Sequence, residues 1–209
     1  MPDKPVDTFT PDEIDSLTSD DVGDLTVSDV KNIDADFLTG LDSAAIAGFS
    51  SSQLQEIEPE VLAVMSSAQI KALTPEALKG LQSDQMKAIS PKLVKSFSAE
   101  QVGALNKKTF GAMSKGQLKR LTKDSVTGMT RRQFLTVAPN QISVFSTREI
   151  AAIDPDAISG LKPKTLDALS KRQVASLTGD QLEELTGRQI NRADEFMDLL
   201  SKNQTDFIF

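Results

Sequence analysis

The chain has 209 residues, of which 39% are hydrophobic and 25% charged, and its formal net charge is −7. Cysteine, histidine, tryptophan and tyrosine are absent, which excludes disulfide frameworks, thiol nucleophiles, Cys/His metal sites and every triad built on histidine. No apolar run approaches the roughly 18–20 residues of a membrane span, and residues 1–4 lack the basic-then-apolar plan of a secretory signal.

Residues 1–9 predict a flexible leader, and an eight-residue repeat begins at Thr10. The frame runs without insertion to Ala193, which gives 23 octads. The fifth position is apolar in all 23 octads, and the eighth is large and apolar in 22, with Ala193 as the exception. A register kept for so long predicts one repeat domain over residues 10–193.

Each octad carries the signals that start a helix. Its first residue is Ser, Thr, Asp or Asn in 19 of 23 octads, the residue types that cap helix N-termini. Every proline of the array stands at the second position, where its missing N–H costs nothing. The fourth position is often Gln or Glu, which completes a capping box, and the apolar eighth and following fifth positions have the spacing of a hydrophobic staple.

Two other folds fit this pattern less well. A continuous helix would hold seven prolines in its interior, at about 3 kcal/mol each. In a β-solenoid the fifth and eighth positions would point to opposite faces of a strand, although this fold stays open as an alternative. The octads therefore predict an all-α, elongated α-solenoid of very short helices, which are stable only when stacked on their neighbours.

A second period appears between octads 6 and 16, where Gln alternates with other residues at the fourth position. This alternation predicts about two helices per coil. Some eleven coils, each adding ~8–10 Å, would form a rod on the order of 100 Å. Residues 194–209 leave the register and predict a C-terminal capping helix and tail, with Asp194 as the cap of that helix.

Charge is unevenly spread along the chain. Residues 1–60 carry fifteen Asp/Glu and two Lys, whereas residues 87–132 carry eleven Lys/Arg and two acids. The plainer interpretation of this charge is a solvated face. The functional interpretation is that the basic segment attracts an anionic partner, most simply a protein, or aligns copies head to tail. The candidate interaction surface comprises Lys107, Lys108, Lys115, Lys119, Arg120, Lys123, Arg131 and Arg132.

Other chemistries are weakly supported. Nucleic-acid binding needs exposed aromatic platforms, but Phe97, Phe110 and Phe134 occupy core positions of the repeat. The acidic stretch around Asp20–Asp36 lacks the spacing of a calcium loop and predicts caps and surface charge. No catalytic residue, metal site or cofactor-binding motif departs from the repeat, so we expect no enzyme and no cofactor.

The units SSAQIKAL, SAEQVGAL and TGDQLEEL resemble octapeptide arrays of bacterial exoproteins and adhesin-like proteins. The unit TPEALKGL is also distantly similar to stretches of the mesothelin–stereocilin superhelical family. These resemblances cover about residues 10–193 and imply no catalytic residues. They favour a non-catalytic structural or protein-interaction scaffold, surface-associated or secreted.

The C-terminal residues are similar to the acidic-then-apolar ending of proteins exported by bacterial type I secretion: Asp206, Phe207, Ile208 and Phe209. That resemblance implies extracellular localisation without a cleaved leader. The alternative function is then a secreted passenger or effector that binds a host or surface ligand. Without export the chain is cytoplasmic, and its last phenylalanines pack on the final coil.

Overall fold

The computed structural model describes residues 4–205 and Phe207, and within them it contains short helices and no strand. In this described part of the chain, a 3-10 turn at Val6–Thr8 precedes twenty-five α-helices. They are α1 Pro11–Asp15, α2 Ser19–Asp24, α3 Val27–Val30, α4 Ala35–Gly40, α5 Ser43–Ile46, α6 Ser51–Leu54, α7 Pro59–Leu62, α8 Ser67–Ala72, α9 Pro75–Leu78, α10 Ser83–Ala88, α11 Pro91–Val94, α12 Ala99–Ala104, α13 Lys107–Gly111, α14 Lys115–Leu118, α15 Lys123–Val126, α16 Arg131–Phe134, α17 Pro139–Ile142, α18 Thr147–Ala152, α19 Pro155–Ile158, α20 Pro163–Leu166, α21 Lys171–Val174, α22 Gly179–Glu183, α23 Gly187–Ile190, α24 Asp194–Leu199 and α25 Lys202–Thr205.

The predicted helix starts are confirmed, since α1 to α23 each begin at the second residue of an octad. Octad 14 is typical: the Ser114 hydroxyl accepts from the Gln117 N–H at 3.2 Å, and Gln117 Oε1 accepts from the Ser114 N–H at 2.8 Å. All seven prolines of the array are the first residue of their helix. An isolated helix of four to six residues would not persist, so capping sets where each helix begins and packing keeps it folded.

The apolar positions form one continuous core. Every fifth-position side chain is buried, and among the eighth-position side chains only Leu25 is partly exposed. Full burial of one such side chain stabilises the fold by about 1.5–3 kcal/mol. The core therefore runs the length of the array, and each turn depends on its neighbours.

The number of helices per turn differs from the expected two. Helices pack on the third helix along the chain, as in the series α4, α7, α10 and α13. Hydrogen bonds from fourth-position glutamines reach 28 and 31 residues back, into the fourth preceding octad. One turn therefore holds between three and four helices. At roughly 3.5 helices per turn and ~8–10 Å between turns, the array is on the order of 60 Å long, shorter than expected.

The glutamine at the fourth position joins successive turns. Gln117 is 2% exposed, and its Nε2 donates to the Met86 and Ile89 carbonyls at 2.6 and 2.8 Å, while its Oε1 keeps the capping bond. The same arrangement recurs at a set of buried glutamines: Gln53, Gln69, Gln85, Gln101, Gln133, Gln173, Gln181 and Gln189. Alternation of Gln is compatible with the longer turn because the bonded octads are four apart, an even number.

Small residues at the seventh position serve close packing between turns. No described residue has a positive φ, so the chain reverses without the glycine-specific conformation. A Cβ built on Gly128 would lie 2.8 Å from Ala99 Cα and closer still to its carbonyl group. Gly48, Gly80 and Gly160 meet the backbone of the octad three before them in the same way. Their missing side chain lets two helices approach backbone to backbone.

The N-terminal residues pack on the first turn. Val6 is 4% exposed, and the Phe9 ring meets the Phe37 ring edge-on with centroids 5.8 Å apart. Lys4 lies over the Phe9 ring, with its Nζ 4.9 Å from the centroid. The expected leader therefore has an apolar contact with the core at residues 6 and 9.

At the C-terminal end the repeat continues with its frame shifted by one residue, because Ala193 is both the eighth residue of octad 23 and the N-cap of the next helix. The helix expected after the array is α24, but Asp194 is its first residue and not its cap. Ala193 stands at the N-cap and makes no side-chain bond, and a further helix, α25, follows. Asp167 Oδ1 instead accepts from the Phe196 N–H at 3.1 Å. Gln204 then occupies the fourth position of the shifted frame, and its Nε2 donates to the Val174 carbonyl at 2.8 Å.

Candidate functional site

The buried polar groups belong to the scaffold. Within the described residues, every buried side-chain nitrogen or oxygen has a hydrogen-bond partner, and no group of three acidic residues is arranged to hold a metal ion. None of the helices in this part of the chain has the length and apolarity to cross a membrane. The candidates for a functional site are therefore exposed side chains.

A groove of about 990 Å³ crosses the middle of the array, and we call it the basic groove. It is lined by Lys79, Gly103, Ala104, Leu105, Asn106, Lys107, Thr130, Arg131, Arg132, Gln133, Leu135 and Asp156. These residues come from octads 9, 12, 13, 16 and 19, which the three-to-four-helix turn places one above another. The groove therefore spans four turns.

The rim of the basic groove is cationic. Lys107, Arg131 and Arg132 are exposed, and none of them forms an ion pair with another described residue. Lys79 pairs with Glu76 of its own octad, and Asp156 is the one carboxylate among the described residues of the lining. The positive charge of the rim is thus largely uncompensated, and Arg131 and Arg132 stand next to each other on it.

The same groove geometry recurs with different charges. One equivalent groove is lined by Thr127, Ala151, Ala152, Ile153, Asp154, Pro155, Thr178 and Asp180, with two carboxylates and no cation. Another is lined by Lys31, Gln55, Glu56, Ile57, Glu58, Pro59, Gln82, Asp84 and Gln85, with three carboxylates and one lysine. The repeat creates the shape, and the exposed positions give each groove its charge.

The structure divides the eight cations predicted as an interaction surface. Lys107, Arg131 and Arg132 come together in the basic groove. The other five are exposed but do not line it: Lys108, Lys115, Lys119, Arg120 and Lys123. Lys79 and Asp156 were missed, because they are far away in sequence and join the groove only through the length of the turn.

The aromatic side chains near the basic segment are core residues, as predicted. Phe97, Phe110 and Phe134 are at most 4% exposed. Among the described residues, no aromatic ring lines the basic groove. Single-stranded nucleic acids are usually held by rings on which the bases stack, and the described surface offers none in this groove.

The acidic N-terminal stretch supplies caps, as expected. Asp21 and Asp29 complete capping boxes, and Asp34 caps α4. Hydrogen bonds from the Thr18 side chain and backbone lower the pKa of Asp21. The hydrogen bond from Lys4, followed by those from Thr10, lowers the pKa of Glu13 to about 2.

The proposed export signal is described in part. Asp206, Ile208 and Phe209 lie outside the described residues. Phe207 is 47% exposed, and its ring is close to Gly179 in the penultimate turn. Export through this ending stays a prediction.

No protein-family model matches the chain, and no curated protein matches it significantly in sequence.

Proposed function

We propose that this chain is a non-catalytic repeat scaffold that binds a protein partner through exposed positions of its octads. The observation that carries the proposal is a separation of roles within the repeat. In octad 14, Ser114, Gln117 and Leu118 hold the fold, whereas Lys115 and Lys119 are exposed. Surface residues can therefore vary without cost to the core, as in other repeat proteins that bind partners.

Exposed cations without ion pairs indicate what kind of partner the scaffold binds. The ion pairs between described residues involve Lys4, Lys31, Lys79 and Lys87. None of the eight cations predicted as an interaction surface takes part in them. Exposed charge left without an internal partner raises the association rate with a surface of opposite sign, so we propose an anionic protein surface as the partner.

The proposal is tested by affinity capture from an extract of the source cells at low salt, followed by elution along a salt gradient. The test variant is Lys119→Glu/Arg120→Glu/Lys123→Glu. The matched control, Lys164→Glu/Lys171→Glu/Arg172→Glu, changes the net charge equally outside the basic segment. Circular dichroism melting curves confirm that all three proteins are folded to the same extent.

We expect a defined protein to be retained by the wild type and the control, to be released as salt screens the contact, and to be lost with the test variant. Equal retention by all three proteins would refute a role for Lys119, Arg120 and Lys123. Retention of no defined protein by any of them would refute the scaffold function itself.

A further inference from the structure

We infer that the basic groove is a binding site for an extended acidic segment of a partner protein, with an apolar side chain among its carboxylates. The inference rests on the proposed function and names the ligand class. Three features of the groove carry it: the charge of its rim, an exposed leucine, and its length.

The rim selects carboxylates. Arg131 and Arg132 are consecutive, exposed and free of ion pairs with described residues, and Lys107 lies on the neighbouring turn in the same state. Guanidinium groups bind carboxylates through two parallel hydrogen bonds, which favours arginine where carboxylates are recognised. The two equivalent grooves carry more carboxylates than cations and would repel such a segment.

The apolar contact is provided by Leu135, which follows Arg131 and Arg132 by about one helical turn in the same octad. It is 46% exposed, and it is one of four large hydrophobic side chains among the described residues that are 40–47% exposed. Ala104, which is partly exposed, also lines the groove. An apolar residue of the ligand placed here would remove Leu135 from water, while its flanking carboxylates face the rim.

The length of the groove sets the length of the segment. It extends from the turn with α9 to the turn with α19, and the helices along it pack in the steps α9 to α12, α13 to α16 and α16 to α19. Three packing distances of ~8–10 Å span roughly 25–30 Å. An extended chain covers that length with about eight or nine residues, at ~3.3 Å per residue.

The inference is tested by fluorescence anisotropy with a labelled eight-residue peptide of glutamates around a central leucine. Two further peptides replace the glutamates by glutamine or the leucine by glycine. The groove variant is Arg131→Glu/Arg132→Glu. Its matched control is Lys171→Glu/Arg172→Glu, because α21 repeats the pattern of α16 with two exposed cations before a buried glutamine.

We expect the groove variant to weaken binding of the acidic peptide by at least about tenfold, and the control variant by less than about twofold, since rim charges mainly act locally. Leu135→Ser should weaken binding by about threefold, and only for the peptide that contains leucine. The glutamine peptide should not bind measurably.

Equal binding to the groove variant and the control variant would overturn the inference. So would tighter binding of an oligouridylate of the same charge through Arg131 and Arg132, because the site would then select polyanions other than acidic protein segments. If the peptide fails to bind while a partner is still captured from the extract through Lys119, Arg120 and Lys123, the groove assignment falls and the scaffold function stands. If the peptide binds in the groove but no partner is captured from the extract, the groove assignment stands and the scaffold function falls.

Discussion

Replacement of Gln117 by leucine tests the bond that joins successive turns. The glutamine amide satisfies three backbone groups at once: the Ser114 N–H at 2.8 Å, the Met86 carbonyl at 2.6 Å and the Ile89 carbonyl at 2.8 Å. Leucine has a similar volume but no polar atom, so all three groups lose this partner inside a site where Gln117 is 2% exposed.

The cost follows from the three unpaired groups. A buried donor or acceptor left without a partner costs about 1–3 kcal/mol. Part of this is offset by the apolar leucine and by water that reaches the carbonyls, so we expect a loss of about 3–5 kcal/mol in the free energy of unfolding. The control Gln55→Leu changes an exposed glutamine and should alter stability by less than about 0.5 kcal/mol.

Gln117→Glu distinguishes the contribution of the amide oxygen, which accepts a hydrogen bond, from that of the amide nitrogen, which donates two. Its carboxylate can still accept from Ser114 but cannot donate to the two carbonyls, and burial beside them should raise its pKa. A raised pKa in the folded state means that the folded chain binds the proton more tightly. The variant should therefore keep its stability below the ordinary glutamate pKa of about 4.3 and lose it as pH rises toward 7.

Urea denaturation followed by far-UV circular dichroism measures these differences, because the chain has no Trp or Tyr to report by fluorescence. Hydrogen exchange at Met86 to Ile89 would show whether the turns separate locally, as is expected in repeat proteins. A loss below about 1 kcal/mol in Gln117→Leu, together with a pH-independent Gln117→Glu, would refute the glutamine bond as a main link between turns.

Three further predictions follow from the packing and the caps. Gly128→Ala should destabilise the fold by about 1–3 kcal/mol in urea denaturation, whereas Gly116→Ala, which meets only ordinary contacts, should be neutral or stabilising by about 0.5–1 kcal/mol; equal effects would argue against the close backbone approach. Because the pKa of Glu13 is lowered to about 2 in the folded chain, its carboxylate stabilises the fold above the ordinary glutamate pKa, and this stabilisation is lost as pH falls toward 2. NMR titration should therefore show the first turn loosening in acid, and Glu13→Gln should remove that pH dependence. Deletion of residues 66–73 should leave a cooperative melting curve, because the glutamines bond to backbone carbonyls that every octad supplies, whereas deletion of residues 66–69 should abolish it.

The sequence alone determined where α1 to α23 begin and which of their side chains form the core. The residue types and spacing of Ser114 and Gln117 indicate a capping box, and the apolar pattern places Leu118 and Leu121 in the core. Both capping and apolar periodicity act within a few residues of the chain. Local rules of this kind extend to each octad in turn, so the all-helical stacked array was predictable.

Only the tertiary structure decided how many helices complete a turn, and with that number the whole surface. The turn length depends on how closely Gly128 approaches Ala99 and on bonds such as that from Gln117 to Met86, which join residues about thirty positions apart. No local signal encodes such distances. Lys79 and Asp156 therefore meet Arg131 in one groove for a reason that lies in packing between turns and not in their neighbourhood along the chain.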